Sequence, residues 1–275
     1  MEVGLQLYSV RNDMEKDMKA TLKKVKEMGY TCVEFAGYYG HSAEEVKAML
    51  DETGLTCISV HQTHTVFLED EKKNIDFLKT IGAKYCVVPW MDRAFHKGGA
   101  EYEKTVKDLT NIGRALKENG IQLAYHNHDF EFEKHEGKFL LDWLYEAVPA
   151  DILETEIDTC WARYAGYNPA EYLLKYSGRS HIIHFKDFVC KNFADGSVYS
   201  LIGDDGREGK IPSRNESGFE FRALGDGIVD FKALIEACKK AGTEYVIVEQ
   251  DQESQGLSAL EAAAKSRAYL KSLGI

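Results

Sequence analysis

The octapeptide YHNHDFEF, Tyr125 to Phe132, sets two imidazoles, a carboxamide and two carboxylates behind the short apolar run IQLA. Further along, Glu154, Glu156 and Asp158 alternate in ILETEID, so in a strand they share one face. His184 lies in HIIHF with Lys186 and Asp187 behind it, and Glu249 and Asp251 close YVIVEQD. These are groups for proton transfer and for gripping a divalent cation. Carboxylates gathered at one mouth raise each other's pKa, and a cation removes that conflict. A mixed oxygen and nitrogen set suits Mn²⁺ best and is compatible with Mg²⁺, Co²⁺ or Zn²⁺. One such ion would polarise a carbonyl with its neighbouring hydroxyl and stabilise an enediolate.

Each piece has an ordinary structural explanation too. Asp158 can cap a following helix. Lys186 and Asp187 can form a surface pair of little worth. Glu154, nearer its strand start, reads as an ion-paired residue low in the fold. The convergence of four separate segments favours a metal-centred site over independent roles.

Eight short apolar runs must position these groups: 3–7, 32–37, 55–61, 85–90, 121–128, 152–158, 181–185 and 245–251. Helical periodicity fills the gaps, as in 17–28, where Met18, Leu22, Val25 and Met28 recur three or four apart. Similar patterns cover 43–52, 71–80, 101–119, 139–147, 169–176, 230–241 and 257–273. Ser42, Asn168-Pro169 and Asp230 mark helix starts, and Gly29, Gly54, Gly82, Gly120 and Gly242 mark ends. Strands alternating with helices predict a parallel sheet, and the 275-residue length favours a single-domain (β/α)8 TIM barrel over an open sheet. A long loop, about 188–228, interrupts the rhythm and holds GDDGREGKIPSRNESGFEF at 203–221. In such barrels the chemistry sits at the C-terminal strand ends.

Composition narrows the class. At 44% hydrophobic and 29% charged it is that of an ordinary globular chain. The net charge of −11 argues against a nucleic-acid partner. No apolar run reaches membrane-spanning length, no signal peptide is visible, and none of the six cysteines forms a C-x-x-C pair. A cytoplasmic location with reduced thiols is expected, and assembly into a homo-oligomer is compatible with the sequence.

The motifs YHNHDFEF (125–132), EIDTCWARYAGYNP (156–169), IIHFKD (182–187), ALGDGIVDF (223–231) and VIVEQD (246–251) together resemble the xylose isomerase-like TIM barrel superfamily, in its sugar (phosphate) isomerase/epimerase branch. The resemblance spans nearly the whole chain. It implies a Glu, Asp, His, Glu metal set, matched here by Asp158, His184 and Glu249. His126 stands where the first Glu is usual. Either His126 ligates, or another carboxylate substitutes: Glu156, which faces the same way as Asp158, is preferred, with Glu131 as the fallback.

The resemblance implies an isomerase or epimerase on a sugar or cyclitol, with His126 and Glu249 as proton-transfer candidates and Lys186 orienting the substrate. YHNHDFEF is also similar to inosose dehydratases and 3-keto-glycoside lyases, which makes elimination the alternative. His128, Glu131, His61, Trp90, Trp161 and Arg222 are candidate substrate contacts; Tyr8, Glu34, His64 and Lys210 are further rim or loop candidates. A DNA-repair endonuclease on the same barrel would need a basic face that the charge does not provide. A metal-free binding subunit is the remaining class, raised by the His126 departure.

Overall fold

The computed structural model describes residues 1–191 and 218–275. Lys210 and most of the 203–221 segment lie outside the described residues. Eight parallel strands close into a barrel: β1 (Glu2–Gln6), β2 (Cys32–Phe35), β3 (Thr56–His61), β4 (Tyr85–Val88), β5 (Gln122–His126), β6 (Leu153–Asp158), β7 (Ile182–Phe185) and β8 (Tyr245–Val248), with β8 returning to β1. This is the expected single-domain (β/α)8 barrel.

The eight periodic segments form helices close to their expected bounds. Ser42 opens Ala43–Thr53 with a reciprocal capping box, and Asn168 and Asp230 cap Pro169–Lys175 and Phe231–Ala241. Gly54 ends the first of these at φ 68°, a left-handed conformation that glycine adopts without strain. Three six-residue helices escape periodicity: Arg11–Lys16, His64–Glu69 and Thr159–Tyr164. Under two turns, a helix is too short to show a period.

The interior is layered. Cys32, Ile58, Tyr85, Val87, Ala124, Ile182, Tyr245 and Ile247 form an apolar cluster separate from the main strand–helix core. Two residues later on four of these strands, on the same side of the pleat, come Glu34, His126, His184 and Glu249. A polar layer therefore rests on an apolar plug, toward the C-terminal ends.

Asp187 is not a surface residue paired with Lys186. Its carboxylate is buried and accepts from the backbone N–H groups of Phe188 (2.9 Å), Gly225 (3.0 Å), Gly227 (2.9 Å) and Val229 (3.1 Å). It thereby clamps the ALGDGIVDF turn against the short ribbon formed by Asp187–Val189 and Glu220–Arg222. A Cβ on Gly227 would collide with the Asp187 carboxylate, so no larger residue fits there.

Candidate metal centre

Two groups of ligand-type atoms meet in the polar layers, and His184 belongs to both. The upper group is His126, Asp158, His184 and Glu249, from β5, β6, β7 and the residue after β8, with donor atoms all within 4.8 Å of one another. Nε2 of His126 lies 3.4 Å from Oδ2 of Asp158, and Nδ1 of His184 lies 3.2 Å from Oε2 of Glu249. All four residues are buried. Among the described residues, His126 Nε2 and Asp158 Oδ2 have no hydrogen-bond partner, although each is shielded from water. Buried polar atoms are normally satisfied, so two such atoms aimed into one group of donors fit a cation.

The lower group is Glu34, His61, Glu156 and His184. His61 Nε2 lies 2.8 Å from Glu156 and 3.0 Å from Glu34, while His184 Nε2 lies 2.7 Å from Glu34 and 3.3 Å from Glu156. Gln6 Nε2 donates to the same Glu34 oxygen at 2.6 Å.

The supports are local. Asp158 is both cap and site residue: Oδ1 accepts from the N–H of Trp161 at 2.9 Å, starting Thr159–Tyr164, which leaves Oδ2 for the group. Asn127 accepts from the N–H of Asp158 at 3.0 Å and ties the end of β5 to the end of β6. His126 Nδ1 faces the Pro89 carbonyl at 3.2 Å. Lys186 is almost fully enclosed, 2.7 Å from Glu249, 2.8 Å from Asp251 and 3.6 Å from Asp158.

These contacts set the charges. Burial pushes the His126 imidazolium down to about 4, so the ring is neutral, as a ligand must be. Burial also opposes charge on Lys186, but Asp251, Glu249 and Asp158 outweigh it and raise its pKa. Burial would raise Glu249; Lys186 and His184 overcome it and hold the carboxyl well below its usual range. In the lower group, burial opposes charge on His61, yet Glu34 and Glu156 raise it to about 9. Burial and then Glu34 lift Glu156 to about 7.

Asp158, His184 and Glu249 thus meet as expected, with His126 completing their group. Glu156, preferred as the fourth ligand, falls in the lower group: two residues before Asp158, it sits about 7 Å down the strand. Glu131, the fallback, is in neither group. Its oxygens accept from the Tyr125 hydroxyl (2.7 Å) and the His128 N–H (2.8 Å), and it is fully buried. Trp161 is buried and stacked between His128 and Phe219, so it packs rather than lines a rim. His61 points down into the lower group. Trp90 is 47% exposed and Tyr8 43% exposed. Arg222 pairs with Glu220, and His64 packs edge-on against Phe95. Glu154 pairs with His181 at 2.9 Å, as its place near the strand start suggested. Sequence reading gave Glu34 no partner and Asn127 no role; the single signal for Glu34 was a carboxylate inside an apolar strand.

Comparison with known proteins agrees with the barrel. The family model described as xylose isomerase-like TIM barrel matches residues 22–273. The inosose dehydratase of Clostridium perfringens is 25% identical over 279 residues, covering 94% of this chain and 90% of that protein. A crystal structure of a sugar phosphate isomerase/epimerase from Parabacteroides distasonis superposes with a TM-score of 0.77 at 22% identity, over 98% of this chain and 95% of that one. The IOLI protein, crystallised with a zinc atom, superposes with a TM-score of 0.68 at 16% identity, over 99% and 98%.

Proposed function

The chain belongs to the xylose isomerase-like TIM barrel family, and from that premise we propose that it is a divalent-metal-dependent lyase that dehydrates a ketone-bearing polyol of the inosose or keto-sugar class. The observation that carries this reading is the convergence of His126, Asp158, His184 and Glu249 with Lys186 against two of them. Sequence reasoning placed isomerisation first and elimination second. The dehydratases matched over 94% and 98% of the chain support the reverse order.

His126, Asp158, His184 and Glu249 would hold the ion, which when bound would grip the substrate carbonyl and an adjacent hydroxyl and acidify the neighbouring C–H bond. His126 has Nδ1 on the Pro89 carbonyl and Nε2 in the ion group, so neither nitrogen remains for the proton transfer anticipated for it. That role passes to Glu249 and Lys186. The Glu249 carboxylate takes the proton next to the carbonyl as the C–H bond breaks. The Lys186 ammonium gives a proton to the β-hydroxyl as its C–O bond breaks, and water leaves behind an enone. Glu249 then returns its proton to Lys186 across their 2.7 Å contact, restoring both groups. An isomerase would have to hand the proton back to carbon; a cation facing the substrate suits a leaving hydroxyl instead.

The test is incubation of Mn²⁺-loaded protein with an inosose, a 3-keto-glycoside and free ketoses in D₂O, followed by mass and ultraviolet spectra. The expected result is loss of one water with appearance of enone absorption. A product of unchanged skeleton and composition apart from deuterium uptake would assign isomerisation instead.

A further inference from the structure

His184 has two ring nitrogens and each faces a different carboxylate. Nδ1 lies 3.2 Å from Glu249 in the upper group, and Nε2 lies 2.7 Å from Oε1 of Glu34 below it. A neutral imidazole ligates through one nitrogen and carries its proton on the other. The two groups therefore compete for a single ring. An ion in the lower group needs Nε2, whereas an ion in the upper group needs Nδ1 and leaves a proton on Nε2 that must find an acceptor.

We propose that Glu34 is a positioning residue: by accepting the Nε2 proton of His184 it commits Nδ1 to the upper ion and holds the ring plane in place. The proposal rests on the reading of the upper group as the metal centre. Its geometry is built across the barrel interior, because Glu34 stands on β2 and His184 on β7, 150 residues later. Glu34 is itself held. Gln6 on β1 donates to the same oxygen at 2.6 Å, and its own side-chain oxygen accepts from the N–H of Tyr8 at 3.0 Å. His61 stacks on His184 at 12° between planes and 5.2 Å between centroids, which keeps the ring from turning. His61 also stands between Glu34 and Glu156, at 3.0 and 2.8 Å. The lower group is thus the floor that orients the ligand above it, and Glu156 belongs to that floor. Placing the ion above puts it beside Glu249 and Lys186, and Asp251, whose side chain is 23% exposed, lies next to Lys186 on the open side.

Carboxylates that receive the outer proton of a metal-bound histidine orient it and raise its basicity, and their removal costs about 10- to 100-fold in metal affinity. The experiment is chelator-competition titration of the full chain with Zn²⁺ alone, without substrate, for the parent, Glu34→Gln and Glu34→Leu, with ¹⁵N spectra of histidine-labelled, Zn²⁺-loaded protein. His184 is assigned by through-bond correlation of its ring nitrogens to its own backbone resonances. Glu34→Gln keeps an acceptor oxygen and loses the charge, so about a 10-fold drop in affinity is expected; Glu34→Leu loses both, and about 100-fold is expected. The parent spectrum should show one Zn²⁺ per chain with the His184 proton on Nε2 and the metal on Nδ1. If Glu34→Leu does not fold, Glu34→Gln and the parent tautomer still decide. Zn²⁺ affinity within twofold of the parent in either variant, or a proton on Nδ1, would overturn the role of Glu34 while leaving metal binding intact. A parent that binds no Zn²⁺ would overturn this proposal together with the function beneath it.

Discussion

The Lys186 ammonium lies 2.7 Å from Oε2 of Glu249, and both side chains are almost wholly shielded from water. The contact joins residues 63 positions apart and leaves Lys186 as a buried cation among three acidic residues. Isolated buried charge is costly, and here the partners keep one another ionised.

Lys186→Met keeps the volume and removes the cation, stranding Glu249, Asp251 and Asp158 together. Urea denaturation of the ion-free protein at pH 7 should show a loss of about 3–5 kcal/mol. Mn²⁺ should restore part of it by replacing the missing positive charge. The dehydration rate should fall by about 10²-fold or more. Unchanged stability would mean that Lys186 does not balance these carboxylates.

His184→Ala deletes the ring shared by both groups. Metal content measured by mass spectrometry should drop to background, while far-ultraviolet circular dichroism keeps the barrel signal. A variant that retains its full complement of metal would remove His184 from the ligand set.

Glu131 makes stability pH-dependent. Burial outweighs the hydrogen bonds from Tyr125 and His128 and raises its carboxyl to about 8. Its ordinary value is 4.5, so between these limits the folded state holds a proton that the unfolded state releases. The associated stability is full below the lower value, declines by about 1.4 kcal/mol per pH unit above it, and is gone once pH exceeds the upper value. Glu131→Gln carries no titrating proton. Its amide can donate to the Tyr125 oxygen, whose hydroxyl then turns to His96 Nε2 at 3.3 Å. Melts from pH 5 to 9 should show the variant gaining on the parent as pH rises. A constant difference across the range would refute the raised carboxyl.

The barrel was legible because its signals are local. Alternating apolar runs, capping residues such as Ser42 and terminal glycines such as Gly54 act within a few positions of themselves. Asp158, His184 and Glu249 were legible as rim groups because strand ends in a barrel share one face, and the resemblance to the family singled them out as a ligand set. The structural role of Asp187 was not legible, because nothing in IIHFKD shows that three N–H groups from a turn some 40 residues later would join that of Phe188 in converging on it.

Alternation along β6 was enough to show that Glu156 and Asp158 face the same way, and the sequence alone carried that much, along with the fold and the chemical types at the rim. Which layer each carboxylate joins depends on how neighbouring strands stagger around the closed barrel, and no single strand records that stagger. Only the closed structure brings Glu34 on β2 against the far nitrogen of His184 on β7, since contact across the interior is set by barrel radius and strand tilt rather than by spacing along the chain.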